Sequence, residues 1–481
     1  IKKRRDRGNE KMNNKRMKIL IISLVVLLIV LVGGTFAFLY FMTDIFKGPD
    51  QLFYKYLAQN TEIVKLVEQP GLEAFNSKKQ LNSYINVGDL SFEITGNDAE
   101  LKEVADIMND LTVNFSGRAD RVNDRAYQEI NLLYKTTNLF KLKYLQDGDK
   151  YALASDDIVN KYVGIENNNL KELAKKFGLT DEQLVAFPDK IEVKDYSSLF
   201  EISDADAKRI QETYSAVFTN NIPKEKFVKE DKMVIQQNNQ SYDINRYSLS
   251  LTDKEINNVL TQLLTTLKND DATLNLIIAK MALIDETQQL TVDELKESIQ
   301  AMLDENQEVE EDGSILKITV FEYNGSLMKT TVEIDAEEWL VIEKKENEYH
   351  LTMSATKDDQ NTKIVMILGK QDNTTNIGYS IYINEEEQMA LNLKITTQTQ
   401  ESGSQTNIEI IGKIAQTQVK AVMNNKEEFT NAIDSIDELN NENSIMINDY
   451  PADQIAALIV AIQEQFQKVL VEKMQVILVN Q

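Results

Sequence analysis

The chain of 481 residues contains no cysteine, one histidine, one tryptophan, 5 prolines and 17 glycines. Without cysteine there is no disulfide framework, zinc-thiolate site, iron–sulfur cluster, thiol nucleophile or lipid-modified cysteine. A single histidine, His350, excludes multi-histidine metal centres. No proline-, glycine- or serine-rich stalk interrupts the sequence. Phosphate-binding GxxxxGK[ST], dinucleotide GxGxxG, zinc-binding HExxH and nucleophile-bearing GxSxG patterns are all absent.

What is present is charge, unevenly placed. Lys and Arg number 52 against 77 Asp and Glu, a formal charge of −25. Residues 1–18 (IKKRRDRGNEKMNNKRMK) carry nine basic and two acidic side chains, net +7, which leaves −32 on the remaining 463 residues. A region that acidic repels nucleic acid, so no nucleic-acid partner is expected. The basic residues 1–18 fit a cytoplasmic tail lying against an anionic leaflet.

Between these regions, residues 19–42 (ILIISLVVLLIVLVGGTFAFLYFM) hold no charge. As a helix the segment reaches about 36 Å, enough for a hydrocarbon core of roughly 30 Å. The basic flank orients it with the N-terminus cytoplasmic. The expectation is a single-pass protein of the cell membrane with an extracellular C-terminal ectodomain. A cleaved signal peptide fits less well, because the apolar run is long and Gly33-Gly34-Thr35-Phe36-Ala37 is a poor cleavage site.

The rest divides into residues 43–304, an acidic linker 305–313 (ENQEVEEDG), and residues 314–481. In the first part, LNSYINVGDLSFEIT, RAYQEINLLYKT and NLFKLKYLQDGD alternate apolar and polar residues and predict an antiparallel meander. Helices follow, the clearest over 253–268, where Thr252 and Glu255 form a capping box. After the linker, SILKITVFEY, Asn324-Gly325 and SLMKTTVEI predict a hairpin with a type I′ turn, the first of roughly eight strands. A helix with Ile455, Leu458, Ile459, Ile462, Phe466, Val469 and Leu470 on its apolar face closes the chain. The expected fold class is α+β: an N-terminal transmembrane helix, then curved antiparallel sheet packed with amphipathic helices.

Chemistry-bearing residues are few. His350 lies in the alternating run EYHLTMSAT and reads as a sheet-face residue. Ser326 and Lys329 match SxxK, but after a hairpin turn they are expected on opposite strand faces. Asp147, Asp149, Asp156 and Asp157 resemble fragments of a calcium loop without its ligand order. One tryptophan, Trp339, is too few for the aromatic platforms of a carbohydrate cleft. No catalytic, cofactor-binding or metal residue is assigned, no cofactor is implied, and no enzymatic activity is expected.

The phrases FKGPDQLFYKYL, RAYQEINLLY and LFKLKYLQDGDKYALASDDIVNKYVGI resemble membrane-anchored ectodomain proteins of Gram-positive anaerobes that form a family of unknown function. That resemblance implies a cell-surface location and carries no catalytic residue with it. The sheet-and-helix plan also resembles the half-open barrels of lipoprotein carriers. The expected function is non-enzymatic binding or scaffolding at the cell envelope. The partner is another envelope protein or an apolar ligand held between sheet and helices. The alternative is a carboxylate- or metal-dependent hydrolase of the envelope.

Overall fold

The computed structural model describes residues 48–479 apart from 68–71, 97–98, 185–187, 191–202, 238–239, 285–290, 308–312, 314, 358–359 and 415. The first run of strands is β1 (Tyr84–Thr95), β2 (Leu111–Asp120), β3 (Arg125–Tyr134), β4 (Thr137–Asp147), β5 (Lys150–Ser155) and β6 (Val159–Glu166). Next come β7 (Phe227–Gln237), β8 (Gln240–Thr252), β9 (Ile315–Tyr323), β10 (Ser326–Ile334), β11 (Glu337–Lys345) and β12 (Glu348–Lys357). The last run is β13 (Gln360–Gln371), β14 (Thr374–Ile383), β15 (Glu386–Gln400), β16 (Gly403–Ile414), β17 (Thr417–Phe429) and the short β18 (Ser444–Met446).

Eighteen strands overturn the expected α+β class with its leading membrane helix: the described chain is predominantly sheet. Hairpin follows hairpin through both halves of the sequence, and the helices serve as covers and crossovers. Residues 1–18 and the apolar run 19–42 lie outside the described residues. Among the described residues, no helix is long and apolar enough to cross a membrane.

Contacts divide the chain into two compact units, residues 1–65 with 194–365, and residues 66–193 with 366–481. Each unit is assembled from two separate stretches of sequence, and the acidic run 305–313 falls within the first.

In the first unit β7 to β12 pair in chain order as an antiparallel meander. The β9–β10 hairpin turns on Asn324 and Gly325, both at positive φ, as a type I′ turn requires. One face of the meander carries Tyr247, Leu249, Leu251, Leu316, Ile318, Val320 and Val332, all buried. The helix Pro49–Leu57 covers it with Leu52, Phe53, Tyr56 and Leu57, and the helix Asp253–Asn269 with Ile256, Val259, Leu260 and Leu263. Thr252 accepts from the Glu255 amide while the Glu255 side chain accepts from the Thr252 amide, so the capping box forms as expected. Helix, sheet and cap make this unit a closed, well-filled core.

The second unit is built differently. β1 sits between β17 and β2, so residues 84–95 pair antiparallel with residues 418–429. From there β2 to β6 continue as a meander on one side and β17 to β14 on the other, with β18 parallel to β6. Among the described residues, buried apolar side chains of this unit gather into two small clusters. Leu145 and Ala152 pack with Ile436 and Leu439 of the coil after β17, and Leu170 and Leu173 pack with Ile455 of the helix Ala452–Val479.

Candidate ligand-binding site

Because paired residues point to the same side of a sheet, the registers of the second unit define two contrasting faces. On one face a single cross-strand row runs Thr374, Thr396, Asn407, Asn424, Asp89, Asn114, Asn131 and Lys141, from β14 to β4. Its members bond sideways: Asn407 Nδ2 donates to Asn424 Oδ1 at 2.7 Å, and Asn424 Nδ2 donates to Asp89 Oδ2 at 3.0 Å. Further along, Asn138 Nδ2 donates to Asn131 Oδ1 at 3.1 Å, and Asn131 Nδ2 to Glu129 Oε1 at 3.0 Å. Burial raises the Glu129 carboxyl, but hydrogen bonds from Asn131, Lys141 and Tyr127 outweigh it and hold the group below its ordinary range. An open depression of about 340 Å³ lies along this amide row, lined by Asp89, Asn114, Gln405, Asn424 and Lys426 among others.

The adjacent row, one residue on, points to the opposite face and is apolar across seven strands: Ile395, Ile408, Met423, Leu90, Val113, Leu132 and Phe140. Flanking rows add Leu393, Ile410, Ala421 and Phe92 on one side and Phe115, Ile130 and Leu142 on the other. None of these side chains is fully buried, and Ile410 and its neighbours Leu391 and Val419 are more than 40% exposed. In the first unit the equivalent apolar rows are sealed under helices.

The helix Ala452–Val479 approaches this apolar face at Phe140. Ile455 and Val469 are buried, while Ile459, Phe466, Leu470 and Met474, one stripe around the helix, remain exposed. Phe466 leans toward the sheet and meets Phe140 edge-on, with ring centroids 6.5 Å apart. An apolar sheet face and an apolar helix stripe therefore meet at one edge without closing over each other.

The residues singled out from the sequence lie elsewhere. His350 is on β12 opposite Glu343, its Nε2 3.4 Å from the Glu348 carboxylate. Ser326 and Lys329 are not on opposite faces: a bulge between Leu327 and Lys329 shifts the register, so they pair with Tyr323 and Phe321, which share a face. The Lys329 ammonium lies over the Phe321 ring at 5.7 Å and 3.6 Å from Glu338, not on Ser326. Asp147 pairs with Arg125 at 2.9 Å, Asp149 with Lys190 at 2.8 Å, Asp156 with Lys143 at 2.6 Å and Asp157 with Lys473 at 3.7 Å. These four carboxylates are dispersed among separate cations. No group of three or more metal-ligating side chains occurs among the described residues. Trp339 packs at the border of the first unit's core.

A cleft of about 160 Å³ in the first unit is lined by Asp50, Tyr54, Lys55, Thr219, Ile222, Lys224 and Phe227. It falls below the roughly 300 Å³ of ordinary ligand sites. Burial first, and then Asp50, push the Tyr54 hydroxyl far above its usual range and keep it neutral.

Among solved structures the chain is similar to OccAB4 of Acinetobacter baumannii (7% identity, TM-score 0.20, covering 72% of this chain and 97% of that one). It is also similar to OmpF of Salmonella typhi in complex with daunomycin (8% identity, TM-score 0.17, covering 73% and 98%). A third is a loop-deletion mutant of OmpT, an outer membrane protein of Vibrio cholerae (6% identity, TM-score 0.14, covering 72% and 98%). Scores this low do not establish a common fold. No helix long and apolar enough to cross a membrane occurs among the described residues, and on that finding the expected single-pass, signal-anchored cell-membrane location is corrected. No curated protein matches the chain. A family profile does match, over residues 11–480, and the chain belongs to that family, a family of unknown function designated DUF6583.

Proposed function

We propose that this protein is a non-enzymatic binding protein whose second unit holds an elongated apolar ligand across its sheet, beside the exposed stripe of the helix Ala452–Val479. One observation carries the reading: an apolar face seven strands wide is left half-covered, next to a helix whose own exposed stripe is apolar. At roughly 25 cal/mol per Å² of apolar surface, leaving such a face in water forfeits stabilisation that a ligand would restore. A source among Gram-positive anaerobes belongs to the same proposal, supported by the Asn-, Lys- and Ile-rich usage.

The test is fluorescence of the apolar probe N-phenyl-1-naphthylamine titrated with protein. Binding with blue-shifted emission is expected, and Phe466→Glu should weaken it at least about tenfold, since a carboxylate would enter the apolar contact with Phe140. Phe466 is 45% exposed, so the thermal midpoint should stay within about 2 °C of wild type. Absence of probe binding to the wild-type protein would sink the reading.

A further inference from the structure

The apolar face is not apolar along its whole length. Read along β1 it passes from Phe92 and Leu90 through Gly88 to Asn86; along β3, from Leu132 and Ile130 to Gln128; along β17, from Ala421 and Met423 through Asn425 to Glu427. The change falls at the same level in all three strands, because Asn86 pairs with Gly117 and Glu427, and Gly117 pairs with Gln128. Six residues of β1 separate Phe92 from Asn86, about 20 Å of strand. The face thus has a long apolar part and a polar end.

At that end the space over Gly117 is filled by two side-chain amides. A Cβ there would collide with the side-chain oxygens of both Asn86 and Gln128, so the two amides converge over the glycine from the strands on either side. Each is half-buried, and neither side chain makes a hydrogen bond among the described residues. On the opposite face, by contrast, Asn407 bonds Asn424 and Asn138 bonds Asn131. Beyond them Glu427 is neutralised by Lys79 at 2.5 Å. Phe75 closes the end of the face against Phe429, with ring centroids 5.1 Å apart.

We propose that Asn86 and Gln128 bind the headgroup of the ligand, and that the ligand is a single-chain, uncharged amphiphile bearing hydroxyl groups, of the monoacylglycerol type. The inference rests on the apolar-ligand reading above and specifies its chemistry. Amides offer both donors and acceptors, which suits hydroxyls. A carboxylate or phosphate would find Glu427 already beside Lys79, no cation in the row itself, and the nearby Arg121 engaged by the Lys79 carbonyl and the Tyr84 ring. The chain would run from Asn86 toward Phe92, with the headgroup on the two amides that meet over Gly117.

Displacement of bound N-phenyl-1-naphthylamine separates the outcomes. On the wild-type protein, 1-monooleoylglycerol should displace the probe at a concentration at least about tenfold lower than methyl oleate, which has the same chain without hydroxyls. The double variant Asn86→Ala/Gln128→Ala should lose that preference, so that the two esters displace the probe at about equal concentrations. Equal potency of the two esters on the wild-type protein, retention of the preference by the double variant, or stronger displacement by oleate would each overturn the proposal. Failure of the probe itself to bind the wild-type protein defeats the apolar-ligand reading, and the headgroup site with it.

Discussion

Single side chains in this protein are most informative where charge meets burial. Asp270 caps the helix Asp271–Ile284 and bonds Arg209 Nη1 through both carboxylate oxygens at 2.9 Å. Burial raises its carboxyl, but the Thr273 hydroxyl and amide and then Arg209 outweigh this and hold it below the ordinary carboxylate range. A depressed folded-state value contributes stability that is present above the unfolded value of about 4 and is lost as pH falls through the folded value. Asp270→Asn keeps the cap and removes the charge. The variant should lose about 1–2 kcal/mol at pH 7, and the difference from wild type should shrink toward zero near pH 2. Urea midpoints at the two pH values would measure this, and an equal difference at both would refute the assignment. The sequence shows Asp270 as one of many acids; only the tertiary structure brings Arg209, 61 positions away, onto it.

At the scale of elements, the chain announces its helices and hairpins clearly but not their environments. The periodicity of the helix Ala452–Val479 is legible as one broad apolar face. The structure splits that face into a buried stripe through Ile455 and Val469 and an exposed stripe through Ile459, Phe466 and Leu470. Ile455→Ala should therefore cost about 2–4 kcal/mol. Leu470→Ala, at a side chain 47% exposed, should change stability by no more than about 0.5 kcal/mol. Thermal melts of the two variants separate the stripes, and equal losses would show that both are packed. The helix Ala99–Asn109 falls between two strands of the expected meander, and Leu101, Val104, Ile107 and Met108 follow helical spacing there. In SLMKTTVEI the alternation breaks at Leu327-Met328, but only pairing with β9 shows the slipped residue that brings Ser326 and Lys329 to one face.

Across the whole molecule, the two units differ in how their sheets are covered. The first has a continuous buried core, whereas the second has two small clusters and a half-covered apolar face. Backbone amides backed by few buried contacts open more readily. Native-state hydrogen exchange should give faster exchange in β1, β16 and β17 than in β8, β9 and β10. An apolar probe bound to the second unit should slow exchange in β1 and β17 while leaving β8 and β9 unchanged. Uniform exchange across the six strands would contradict the difference in cover.

Sequence by itself determined the local grammar: type I′ turn residues, capping boxes, alternating strands, and the absence of thiol, multi-histidine and phosphate-loop chemistry. Each depends on neighbours within a few residues, so each is written locally. It did not determine which strands pair at long range. The meeting of residues 84–95 with 418–429 is what aligns Asn407, Asn424, Asp89 and Asn114 into one polar row, and Ile408, Met423, Leu90 and Val113 into the apolar row behind it. Register is decided by the burial of a whole face, and a slip of one residue would exchange the two rows. The two-faced sheet therefore exists only once the distant halves of the second unit have paired.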